Sequence, residues 1–294
     1  MGGRVIWAIN IAALIFVLVL AVQLSHRDKN VPQISRYLTY SFTLKNSTNR
    51  FIKNVSLWAY APVSKTSTQT LQAIETSHPY HLTSDCHGNQ ILGFTIENFP
   101  PYALRNITIQ TELLITKSPR RISSPDVEAL YLQPEPYVES DHPDIIKQAA
   151  RLKKSDPQDT AAAFFDWTAA RIAQSAYFRH ERGALFAYTH QKGDCTEYMD
   201  LFAALCRAAG IPCRRVGGYI CDQNKFVSAG DYHNWAEFYV NGRWHVADPQ
   251  NGVFMDNDGD YIATRIIGSG CPNEMKDNHR YRFEGEGITV KMDS

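Results

Sequence analysis

Gly193-Asp194-Cys195-Thr196-Glu197-Tyr198, running on through Met199-Asp200-Leu201-Phe202-Ala203-Ala204-Leu205-Cys206-Arg207-Ala208-Ala209-Gly210, decides how the second half of this chain folds. Asp194 and Glu197 have the spacing of a capping box, in which two side chains satisfy backbone N–H groups left open at a helix start. Leu201, Leu205 and Ala208 recur at helical spacing, and Gly210 with Pro212 ends the run. A helix is therefore predicted from Cys195, with the thiol in its first turn. Unpaired N–H groups and the positive end of the helix dipole favour the thiolate there, the form that acts as a nucleophile. An arbitrary cysteine is more often a small core residue. Position at a helix start separates Cys195 from Cys206, which lies three turns on along the same face and reads as core.

Downstream, residues 233–240 and 243–248 flank Asn241-Gly242, a dipeptide that suits a two-residue type I′ hairpin turn. With Val240 opposite Arg243, Trp235 faces Asp248 and Phe238 faces His245. Side chains alternate across a strand, so His233, Trp235 and Asp248 share a face, with His233 and Asp248 as diagonal neighbours about 7 Å apart. His245 points to the other face. The register thus selects His233 as the imidazole that Asp248 can hold, unless a bulge changes the parity. Cys195, His233 and Asp248 supply a nucleophile, a general base and an orienting carboxylate in chain order.

Working outward, Ser155-Asp156-Pro157 offers an N-cap and a first-turn proline before a helical run, Ala161 to Ala173, striped by Phe164, Phe165, Trp167, Ala170 and Ile172. With strands around residues 216–219 and 235–246, this half is α+β. The first half has a period of two instead: Leu38, Tyr40, Phe42 and Leu44, then Val55, Leu57 and Ala59, then Ile107, Ile109, Thr111, Leu113 and Ile115. It reads as an all-β, sandwich-type domain over 34–118. Pro119, Pro125, Pro134 and Pro136 mark an extended linker over 119–140, followed by an α+β domain over 141–262 and a C-terminal extension over 263–294.

Lys plus Arg and Asp plus Glu balance at 30 each, so no basic field exists to neutralise phosphates, and nucleic acid is not an expected partner. Residues 5–24 carry no charge, and only Asn10 and Gln23 among them are polar, the length and character of a transmembrane helix. The exit Leu20-Ala21-Val22-Gln23-Leu24 lacks a small-x-small cleavage pattern, which favours an uncleaved anchor. Arg4 on one side and Arg27, Lys29 and Arg36 on the other do not decide orientation. An anchor at the extreme N-terminus acts as a start-transfer signal, which points to a single-pass protein of the cytoplasmic membrane with its body exported. The six cysteines contain no Cys-x-x-Cys pair and no His pair has zinc-ligand spacing, so no metal and no cofactor are expected, and disulfide connectivity stays open. Asp256-Asn257-Asp258-Gly259-Asp260 has its glycine out of register for an EF-hand and reads as a turn.

Gly193 to Tyr198, Leu201 to Arg214, His233-Asn234-Trp235-Ala236-Glu237 and Trp244-His245-Val246-Ala247-Asp248-Pro249 together resemble the transglutaminase-like superfamily. The resemblance covers about residues 141–255, and the β domain with its Asp85 to Asn89 turn is similar to the N-terminal partner of many bacterial members. It implies a papain-like α+β fold, with Cys195 as nucleophile, His233 as base and Asp248 as orienting acid, performing acyl transfer or hydrolysis at protein or peptide amides through a Cys195 thioester, as a transglutaminase, protease or amidase would. Arg214 and Gly218-Tyr219 match structural positions of the family. An acyl-transfer site needs two donors for the developing oxyanion. The Cys195 N–H supplies one, and Gln191 or Trp167 is implied for the other by analogy with related folds. The family also includes members that keep the fold without activity, which makes a binding or structural module of the envelope the competing expectation. Oligomeric state is not legible.

Overall fold

The structure is a computed structural model that describes residues 32–122, 129–178, 180–276 and 278–293. Among the described residues no helix is long and apolar enough to cross a membrane. The expected span over 5–24 lies outside them, as does the middle of the expected linker.

The first half is built from strands β1 (Gln33–Asn46), β2 (Ile52–Ala61), β3 (Gln69–Thr76), β4 (His81–Ser84), β5 (Gln90–Phe99) and β6 (Leu104–Thr116). The period-two positions are the buried ones: Leu38, Tyr40, Phe42 and Leu44 on β1, Val55, Leu57 and Ala59 on β2, and Ile107, Ile109, Leu113 and Ile115 on β6. They meet in one core shared by two sheets, one carrying β1, β6 and β3 and the other β2, β5 and β4. Asn46, in an Asn-x-Thr sequence, is fully buried and donates to the carbonyls of Arg50, Phe99 and Pro100.

The second half contains helices α1 (Pro143–Leu152), α2 (Pro157–Arg171), α3 (Gly183–His190) and α4 (Cys195–Ala208). A two-strand ladder of β7 (Ala173–Gln174) and β8 (Lys192–Gly193) leads into α4. A five-stranded sheet then runs β13-β12-β11-β9-β14, from β9 (Cys213–Ile220), β11 (Tyr232–Val240), β12 (Arg243–Asp248), β13 (Val253–Phe254) and β14 (Tyr261–Ile267). α4 is the central helix, its Leu201, Phe202, Leu205 and Cys206 packing against Ala236, Phe238 and Val240 of β11.

Strands that run past residue 262 add to sheets in both halves. β14 is an edge of the second sheet. β15 (Tyr281–Glu284) pairs with β2, and β16 (Ile288–Met292) pairs with β1, from Phe42 opposite Met292 to Asn46 opposite Ile288. The short β10 (Lys225–Phe226) also joins β1. The physical reason is edge satisfaction: the outer N–H and C=O groups of β1 and β2 need partners, and the chain end supplies them. The described end of the Pro-rich segment is docked as well. Tyr131 and Val138 are buried, and the Tyr131 carbonyl accepts from Cys213 N at 3.0 Å.

Buried polar side chains tie the two halves together. Arg36 donates to the carbonyls of Cys221, Asp222 (2.9 Å) and Gly259 (3.0 Å) and to the Asp260 carboxylate (3.3 Å). Gln69 accepts from Ala263 N (2.8 Å) and donates to Ala263 O (2.9 Å). Asn89 does the same for Ile266, at 2.6 Å and 2.8 Å. Side-chain amides of the first half thus complete the open edge of β14 as a neighbouring strand would.

Candidate active site

α4 begins as its sequence requires. Asp194 Oδ1 accepts from Thr196 N at 3.0 Å, and Glu197 Oε2 accepts from Asp194 N at 2.9 Å, closing the capping box. Arg182 braces Glu197 at 2.6 Å and 3.1 Å, and the second Asp194 oxygen accepts from Phe178 N at 2.9 Å. Cys195 is held half-buried at this rigid helix start, whereas Cys206, Cys213 and Cys221 are buried. Burial pushes the Cys206 thiol up, with neighbouring Cys213 adding to it, and pushes the Cys221 thiol up to about 11.

The hairpin has the register expected from Asn241-Gly242: Val240 pairs with Arg243, Phe238 with His245 and Ala236 with Ala247. Ala236, Phe238, Val240 and Ala247 face the α4 core, while Trp235, Trp244 and Val246 fill a separate core on the opposite face. His233 and Asp248 come together, with Nε2 2.7 Å from Oδ2. His245 lies on the other face, against Phe238 and 3.9 Å from Asp258. Asp258 itself accepts from Val246 N at 2.6 Å, so the Asp-rich loop over 256–260 braces the hairpin.

With Nε2 engaged by Asp248, the opposite ring nitrogen of His233 is left for Cys195, whose nearness adds to the upward pull on the imidazole. Burial by itself would lower the His233 pKa, but the hydrogen bonds to Asp248 and Cys195, with their charges, outweigh it and push the imidazole up to about 9. Asp248 is almost fully buried. Its Oδ2 accepts from Tyr261 Oη at 3.0 Å and Asn251 Nδ2 at 2.8 Å, and its Oδ1 from Asn251 N at 3.3 Å. Burial and the Asp248 charge push the Tyr261 hydroxyl far up, which keeps it a donor.

Tyr261 and Asn251 escaped the sequence reading. Asn251 follows Asp248 in a Pro-Gln-Asn-Gly turn, a weak signal for a side chain that folds back on the backbone. Tyr261 has no sequence signal, because it arrives on β14 through the pairing of β14 with β9. That pairing needs Gly218: a Cβ there would lie 2.0 Å from the Ile262 carbonyl oxygen. Arg214 is structural, bound to Glu237 at 2.6 Å with its guanidinium over the Trp244 ring. Gln191 sits exposed in a left-handed conformation at the end of α3, four residues before Cys195. Trp167, on α2, packs against Tyr188 with centroids 5.9 Å apart.

The transglutaminase-like superfamily profile matches residues 146–249, a range that includes α4 and the hairpin. The chain carries a transglutaminase-like superfamily domain. Kyphoscoliosis peptidase of Homo sapiens and of Mus musculus are each 39% identical to it over 62 residues, 20% of this chain. That stretch is 9% of the length of those relatives. In fold, the chain is similar to a Cytophaga hutchinsonii protein provisionally assigned as a cysteine protease, with a TM-score of 0.60 at 15% identity over 90% of this chain and 91% of that one. This likeness extends beyond the superfamily domain to the β region before it.

Proposed function

We propose that the chain is a thiol-dependent enzyme that cleaves protein or peptide amides through a Cys195 thioester. The observation that carries the reading is the 2.7 Å pairing of His233 Nε2 with Asp248 Oδ2, with Cys195 near enough to help raise the imidazole. His233 takes the thiol proton, and the thiolate attacks the substrate carbonyl carbon. As the tetrahedral intermediate collapses, the imidazolium returns that proton to the leaving amine, and a thioester remains on Cys195. Water then attacks with His233 as base, releasing the acid and the thiol; an amine attacking instead would give a cross-link. The peptidase and protease descriptions of similar proteins favour water. Asp248, fixed by Tyr261 and Asn251, holds the ring orientation. The Cys195 N–H is one oxyanion donor. The other is Gln191, at the end of α3, or Trp167, whose packing on Tyr188 leaves its indole N–H unused.

The test is peptide hydrolysis and amine incorporation by the full chain beside Cys195→Ala. Activity that vanishes in the variant supports the reading. A folded wild type that is inert in both assays would instead support the non-catalytic envelope module, and a Cys195→Ala protein that retains activity would overturn Cys195 as the nucleophile.

We further propose that residues 5–24 anchor the chain in the cytoplasmic membrane with the body outside, on the strength of that uncharged apolar run. Protease added to intact spheroplasts should digest the body. Digestion only after lysis would reverse the orientation.

A further inference from the structure

Cys86 and His87 occupy the turn between β4 and β5, and Cys271 lies in the loop after β14, 185 residues from Cys86. The two cysteines are joined as a disulfide with their Cα atoms 5.8 Å apart. The His87 imidazole completes the corner, so that one ligating atom from each of the three residues lies within 4.8 Å of the others.

Two observations point beyond a simple cross-link. Both ring nitrogens of His87 are buried and neither has a hydrogen-bond partner, an arrangement that is unfavourable for a polar group. The ring also lies so close to Gly268 that a Cβ there would sit 2.5 Å from it. The imidazole is thus held by the backbone beside the sulfurs with its donor and acceptor capacity unused.

The two loops do not depend on the S–S bond to stay together. Asp85 accepts from His87 N at 2.9 Å and Asn89 N at 3.0 Å in the first loop, and from Asn273 Nδ2 at 2.8 Å in the second. Reduction would leave this carboxylate clamp in place, with two thiols and an imidazole facing one another. Cys86 is exposed, which gives a cation access.

We propose that this corner is a redox-gated site for a thiophilic divalent cation of the Zn²⁺ kind, bound by the Cys86 and Cys271 thiolates and a His87 ring nitrogen when the disulfide is reduced. A dithiol or phosphine reductant supplies two electrons and is itself oxidised, while the disulfide takes up two protons to give two thiols. Each thiol then releases its proton to solvent as its sulfur–metal bond forms. Two thiolates balance the cation's charge, and water takes the fourth tetrahedral position. A disulfide or peroxide oxidant that accepts two electrons from the two thiolates restores the S–S bond, is itself reduced, and releases the metal. In both states the same two loops are tied. The ligand set has no sequence signature because its third member is so distant in the chain.

The experiment uses the untagged full chain with Cys195→Ser throughout, which makes it independent of the reading of the catalytic site. Anaerobic Co²⁺ titration of the phosphine-reduced protein reads the thiolate-to-cobalt charge-transfer absorption, and Zn²⁺ affinity is taken by displacement of the cobalt. The reduced protein should bind one equivalent, and the oxidised protein and the Cys86→Ser/Cys271→Ser variant none. His87→Gln, which keeps both sulfurs, should weaken binding by more than the roughly 10- to 100-fold that loss of an outer-shell partner costs. Equal binding by the double variant, by the oxidised protein or by His87→Gln would overturn the proposal.

Discussion

At the scale of single residues, the chemistry turns on the proton of His233. Burial opposes its charge, yet Asp248 and Cys195 hold the imidazole pKa up to about 9. The leaving amine must take its proton from the imidazolium, so acylation should persist through neutral pH and fall as pH rises through about 9. Stability linkage has the same sign. A histidine raised from 6.5 to about 9 on folding contributes stability that is complete below pH 6.5 and lost as pH passes about 9. Single-turnover acylation by a peptide anilide and denaturant unfolding, each followed against pH, should both show this alkaline limb. A limb near pH 7 would mean that Asp248 and Cys195 do not retain the proton. Cys195 was legible because a capping box fixes its helix position locally. Tyr261 was not, because nothing near it in the chain reports which carboxylate its hydroxyl will meet.

Among elements, the β11–β12 hairpin does the sorting. The Asn241-Gly242 turn sets the register, and the two-residue period then sends His233 toward Asp248 and His245 toward Phe238 and Asp258. His233→Ala should therefore lower the acylation rate by roughly 10²- to 10⁴-fold, the usual contribution of a general base. His245→Ala should leave that rate within a small factor and cost stability instead, about 0.5–3 kcal/mol. Stopped-flow acylation beside thermal unfolding separates the two effects. A folded His245→Ala protein as slow as His233→Ala would remove the register as the basis for choosing between the histidines. The helix α4 and this hairpin could be read from short-range chemistry because caps, turns and alternation act over fewer than ten residues.

For the whole molecule, the joint between the β region and the transglutaminase-like domain is the feature local reading missed. Arg36 is buried among three backbone carbonyls and the Asp260 carboxylate. Arg36→Ala leaves those acceptors without their donor, and an orphaned buried acceptor costs about 1–3 kcal/mol. Because Arg36 lies on β1 and its acceptors lie after β9 and before β14, the two halves should melt together at a lower temperature. Hydrogen exchange read by mass spectrometry on peptides from β2 and from the β11–β12 hairpin can follow each half. A shift in one half alone would show that they fold independently.

The sequence by itself determined the α+β character of the second half, the period-two strands of the first, the helix that starts at Cys195 and the turn that pairs His233 with Asp248. Each is specified by neighbours along the chain, through hydrogen bonds that close within a turn or two. Only the tertiary structure decided that β15 and β16 complete the N-terminal sheets, that Gln69 and Asn89 serve as the missing neighbours of β14, and that Cys86, His87 and Cys271 share a corner. These contacts join residues far apart in the chain. Which edge a strand covers, and which side chain a buried N–H finds, is settled by the packing of all the layers together, and that carries no local periodicity to read.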